Sequence, residues 1–122
     1  MSKKLCSVKI ENFLQAMGIN PLQCKSPNGW YGINLSTPVQ AKLFFHPMDD
    51  GLRLQVVPLF KQYRITRAST VNTHIGVVAI TPGESNPYII SELDIASITN
   101  EKLNEVTGYI LSNIDAIIRS VQ

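Results

Sequence analysis

The sequence predicts an α+β domain: a five-stranded antiparallel sheet with an N-terminal helix and a long C-terminal helix packed on one of its faces. Three observations carry this. Thr99 to Gln122 sets Leu103, Val106, Ile110, Leu111, Ile114, Ile117, Ile118 and Val121 at helical spacing behind a capping threonine. The stretches around residues 30–57 and 74–95 alternate apolar and polar side chains with the period of strands that bury one face. Helical patterning sits only at the two ends, which segregates helices from strands and excludes a repeating βαβ plan.

Taken in order, Cys6, Ile10, Phe13, Leu14 and Met17 form one stripe of a helix from about Ser2 to Met17, and Gly18 is suited to stop it. Ile19 to Gly29 carries two prolines, Ser26 and Asn28 and reads as a loop. The first strand, Trp30 to Ser36, turns Tyr31, Ile33 and Leu35 inward. The second, Gln40 to His46, buries Ala41, Leu43 and Phe45, and Asp50-Gly51 is a hairpin signal. The third buries Leu52, Leu54 and Val56, and Pro58 ends it or marks an edge.

Leu59 to Thr73 fits neither period, so a short helix and an irregular crossover are both open. His74 to Thr81 reads as a fourth strand, Pro82 to Pro87 as a turn-rich loop and Tyr88 to Ile95 as a fifth strand. The closing helix has Thr99 as N-cap and Glu101 in its first turn, beside the positive end of the backbone dipole. Gly108 in mid-helix points to a close approach by a neighbour or to a tolerated exposed glycine.

Composition bounds the function. The 122-residue chain is 44% hydrophobic and 16% charged, which suits a single folded domain over 1–122. Its net charge is +2, with basic residues spread from Lys3 to Arg119 and no cationic arm, so nucleic-acid binding has no support. Cys6 and Cys24 lack a C-x-x-C pattern and read as free thiols in a reducing compartment. No stretch resembles a signal peptide or approaches a membrane span, so the expectation is a cytoplasmic protein with no membrane partner.

With both helices on one face, alternation places Trp30, Phe44, Val57, Val78, Ile80, Tyr88 and Ile90 on the other. Mixed among them are Asn34, Lys42, His46, Arg53, Gln55, Glu92 and Asp94. That mixture is too apolar for water and too polar for a core, the composition of a partner surface. The alternative is a cover supplied by a loop of the same chain.

The order of elements resembles the fold shared by type III secretion chaperones and the YbjN family. The resemblance rests on Glu11-Asn12-Phe13-Leu14 in the first helix and on Ile89-Ile90-Ser91-Glu92-Leu93-Asp94-Ile95 running through Ile98-Thr99 into Glu101-Lys102-Leu103. It is a likeness of hydrophobic pattern, without a diagnostic motif. It implies a small bacterial domain, non-catalytic and commonly dimeric, that binds a segment of another protein. The chain departs from it in being slightly basic and in making a poor middle helix of Leu59 to Thr73.

Motifs for chemistry are sparse. His46, Asp49 and Asp50 could converge on a metal at a hairpin tip, but the expected reading is a solvated acidic turn in which Asp50 supports the Gly51 conformation. Cys6 belongs to an apolar stripe, Cys24 has only Lys25 beside it, and Gly83-Glu84-Ser85 lacks the second glycine of a nucleophile elbow. Glu92 and Asp94 share a strand face and could serve as paired acids, but alternating acids on a solvated strand are the expected reading. Lys61, Arg64 and Arg67 at spacing three would line one side of a short helix, a solvated face or a site for an acidic peptide.

The expectation is therefore a non-catalytic, cytoplasmic protein-binding or chaperone-like module, a homodimer with a protein or peptide client, without catalytic, metal or cofactor residues. Trp30, Phe44, Val57, Tyr88 and Ile90 make its contacts, and Arg53, Arg64 and Arg67 orient the partner. The alternative is a small-ligand domain or small enzyme with a pocket between the sheet and residues 59–73, using His46, His74, Glu92 or Asp94.

Overall fold

Helix α1 (Ser2–Ala16) opens the chain and buries Cys6, Ile10, Phe13 and Leu14 against the sheet. The structure is a computed structural model that describes residues 2–122, the side chain of Ser2 excepted. Gly18, at φ +80°, ends α1: its N–H donates to the Gln15 carbonyl, and the Ile19 N–H reaches back to the Leu14 carbonyl, both at 2.9 Å. These paired bonds satisfy carbonyls that a helix end leaves open, and Ile19 packs onto the core beside them. Met17 falls beyond the helix and is 43% exposed, so the buried stripe stops at Leu14, short of the expected Met17.

Where a loop is expected, a single helical turn, α2 (Pro21–Cys24), forms. Asn20 caps it by accepting from the Leu22 N–H at 3.0 Å, and Pro21 supplies a pre-set φ at its first position.

Six strands build the sheet, one more than the sequence predicts: β1 (Tyr31–Leu35), β2 (Ala41–Pro47), β3 (Gly51–Pro58), β4 (Ser69–Thr73), β5 (Gly76–Thr81) and β6 (Tyr88–Asp94). Their order is β1-β2-β3-β6-β5-β4, antiparallel throughout, so two three-stranded meanders meet at the β3–β6 seam. The extra strand is β4, in the segment that fits neither period. Its partner β5 starts at Gly76, because His74 and Ile75 form the turn instead of opening the strand. Thr73 Oγ1 holds that turn, accepting from the Ile75 N–H at 3.2 Å and donating to the Gly76 carbonyl at 2.7 Å. Pro58 ends an interior strand and marks no edge.

Gly51 lies where β3 leaves the Asp50-Gly51 turn. A Cβ there would sit 2.0 Å from the Leu93 carbonyl oxygen, so close approach of β6 requires the glycine.

Helix α3 (Asn100–Arg119) begins at Thr99, whose Oγ1 accepts from the Lys102 N–H at 3.0 Å, and buries the stripe from Leu103 to Ile118. Both long helices lie on one face of the sheet, over Tyr31, Leu43, Phe45, Leu54, Val56 and Ile89, which are all at most 1% exposed. Gly108 is exposed, and among the described residues nothing lies within 4 Å of where a Cβ would stand, which leaves the tolerated-glycine reading and removes the close approach.

Residues 59–68 cross from β3 to β4 with no helix. Tyr63 anchors them: its ring is buried and its hydroxyl donates to Asp115 Oδ1 at 2.9 Å. Asn86 holds the same segment from the other side. Its amide donates to the Pro58 and Lys61 carbonyls at 2.7 and 3.1 Å and accepts from the Tyr63 N–H at 2.8 Å.

Candidate interaction face

The second face of the sheet is built by the odd-even alternation that buries the first. Register aligns its middle row across all six strands: Gly32, Phe44, Gln55, Ile90, Ala79 and Thr70. On one side of this row lie Lys42 and Val57, opposite each other, with Tyr88 on β6. On the other side run His46, Arg53 and Glu92 in direct register.

Local geometry fixes several of these side chains. The Phe44 ring lies over Gly32, where a Cβ would be 3.4 Å from two ring carbons, so the glycine on edge strand β1 is covered by its neighbour's ring. Lys42 Nζ stands 5.1 Å from the same ring's centre. Trp30 precedes β1 and is positioned by Ser26, whose N–H donates to the Trp30 carbonyl at 2.7 Å while its Oγ accepts from the Trp30 N–H at 3.1 Å. Its indole packs edge-on against the His46 ring. Arg53 donates from Nε at 3.0 Å and from Nη2 at 2.9 Å, both to Glu92 Oε2.

His46 lies on this face with a displaced titration. Burial, aided by the charges of Arg53 and Lys3, pushes it below its ordinary value. Its Nε2 is buried without a hydrogen-bond partner among the described residues, and its ring packs edge-on against Trp30. Among the described residues no group of three or more His, Cys, Asp or Glu side chains is placed to hold a metal. Burial raises the thiols of Cys6 and Cys24, neither of which is in a disulfide.

Trp30, Phe44, Arg53, Val57, Tyr88 and Ile90 thus share the second face. Val78 and Ile80 do not: both are fully buried under the helices, and Val77, 60% exposed, and Ala79 take the places expected for them. The reason is parity. Ala79 pairs with Ile90, so odd positions of β5 face the same way as even positions of β6, and a one-residue slip reverses a whole strand.

Arg64 and Arg67 lie elsewhere. They line a hollow with Val121 and Gln122 at the C-terminal end of α3, and Gln122 donates to the Arg64 carbonyl at 3.4 Å. With no helix between residues 59 and 68, they do not align with Lys61, whose Nζ is 3.5 Å from Asp115.

A cleft of about 540 Å³ opens between Gln62–Ile65 and the loop Pro82–Pro87. None of His46, His74, Glu92 or Asp94 lines it. His74 packs edge-on against Tyr109 with ring centres 4.5 Å apart, and Glu92 is held by Arg53.

No family model, curated protein or solved structure matches this chain. Among the described residues no helix is long and apolar enough to cross a membrane.

Proposed function

We propose that this chain is a non-catalytic, cytoplasmic protein-binding module of the chaperone-like kind, and that it works as a homodimer joined through the second face of its sheet. The observation that supports this is the face itself. Phe44, Val57, Tyr88, Ile90 and Val77 stand on it between the Arg53–Glu92 pair at one margin and Lys42 at the other, an apolar field rimmed by charge, which is the anatomy of a protein interface. A self-partner suits the charge of the Arg53–Glu92 margin, which sets one cation and one anion side by side, so a second copy meets that margin without net repulsion. A protein or peptide client with an acidic segment then fits Arg64 and Arg67, which stay away from the dimer face.

Light scattering over a concentration series tests this. The expected mass is twice 13.5 kDa. Phe44→Ala combined with Ile90→Ala should weaken association by about 2 kcal/mol or more, the scale of central apolar anchors. Unchanged association in that variant overturns the assignment of the face.

The cleft supports a second reading, a small-ligand site between the crossover and the Pro82–Pro87 loop. Reproducible thermal stabilisation by one metabolite or metal from a broad panel, lost on Arg64→Ala, would favour it.

A further inference from the structure

From the layout of charge on the sheet we infer that the second copy of this chain docks face to face about a two-fold axis that runs parallel to the strands, along the β3–β6 seam. This deepens the homodimer reading and rests on it.

Two sheets that stack face to face about a two-fold axis must have that axis lying between them, in one of two simple directions. An axis across the strands reverses each strand upon itself. Arg53 would then face the partner's Val57, Glu92 the partner's Tyr88, and both charges would be buried against apolar groups with no ion opposite. An axis along the seam exchanges β3 with β6 instead. Arg53 then faces the partner's Glu92 and Glu92 faces the partner's Arg53, while Val57 meets the partner's Tyr88. Size also matches, because exchanging β2 with β5 sets the large Phe44 over the partner's small Ala79.

The existing ion pair has room for this. Both Arg53 contacts fall on Oε2 of Glu92, which leaves Oε1 and Arg53 Nη1 for the partner. Two arginines and two glutamates then close a four-membered ring of alternating charge, each ion held by one neighbour in its own chain and one across the axis.

Arg53→Glu and Glu92→Arg test the geometry together. In either variant alone, every residue at the ring has the same sign, and self-association should weaken by about tenfold or more. Mixed in equal amounts, the two variants place opposite charges across the axis while each chain keeps its own like-charged pair, so only contacts between chains recover. Native mass spectrometry of the mixture should show heterodimer in excess of both homodimers, with dissociation within a few-fold of the wild type. Far-UV circular dichroism of each variant establishes that the fold persists. A dimeric wild type whose single variants associate normally, or whose mixture shows no heterodimer preference, overturns the seam axis and leaves the homodimer standing. A monomeric wild type over the whole concentration series overturns both.

Discussion

The hydroxyl of Tyr63 donates to Asp115 across 2.9 Å and ties an irregular crossover to the closing helix. Burial first, then the bond to Asp115, pushes Tyr63 up to about 12. The same bond, followed by the charges of Arg119 and Lys61, holds Asp115 below the ordinary carboxylate range despite some opposing desolvation. The consequences have opposite signs. Asp115 contributes stability above its unfolded value that is lost as pH falls through its lowered folded value. Tyr63 contributes stability below pH 10 that is lost as pH rises toward about 12. Urea unfolding of wild type and Tyr63→Phe should therefore differ most between about pH 5 and pH 9, and converge at both extremes.

Gly51 and Gly108 should respond oppositely to alanine. At 51 the new Cβ meets the Leu93 carbonyl at 2.0 Å, a backbone atom that cannot turn aside, and Gly51→Ala should cost about 3 kcal/mol. At 108 nothing lies within 4 Å and the backbone is helical, so Gly108→Ala should stabilise by about 0.5–1 kcal/mol. Denaturant midpoints of the two variants, shifted in opposite directions from the wild type, check this.

Asn86 makes three hydrogen bonds that a single apolar residue cannot replace. Asn86→Ala should cost about 2–4 kcal/mol, since it strips partners from one buried donor and two carbonyls. Asn86→Asp keeps the acceptor for Tyr63 but at neutral pH presents a negative charge to the Pro58 and Lys61 carbonyls. Its deficit relative to wild type should shrink as pH falls and the acid is protonated, which thermal unfolding between pH 3 and pH 7, about the span of a shifted carboxyl titration, would reveal.

His46 should titrate below 6.5, its unperturbed value. Its contribution to stability is present above that value and is lost as pH falls through the lowered folded one. Replacing Arg53 with Gln should move the His46 midpoint upward without restoring it fully, because burial is the larger cause. Proton NMR of the ring resonances reads both.

The sequence reveals the fold where pattern and physics are local. The stripe of α3, the cap at Thr99 and the inward residues of β1 to β3 are visible because each repeats with the period of its own element. Strand β4 is obscured for the opposite reason. Ser69 to Thr73 is an edge strand whose residues alternate only between half-buried and exposed, and with Val71 as its single apolar side chain the sequence shows no hydrophobic period, so pairing with β5 determines it. The face of β5 is hidden by the same cause, since only the long-range register with β6 decides whether Val77 or Val78 points inward. Asn86 reads as one turn former among several. Its role arises from carbonyls more than twenty residues away, which no spacing rule encodes.

The strand order carries a kinetic consequence. Within each meander, strands pair across short turns, and such contacts close early in folding at little entropic cost. The seam is different: Gly51 meets Asp94 and Val56 meets Ile89 only after a loop on the order of forty residues has closed. Each half of the sheet pairs its own strands locally, but neither has a complete roof of helices until the two are joined. Closing the seam should therefore limit the folding rate, and a loosened β3–β6 pairing should retard refolding more than a loosened hairpin of equal strength.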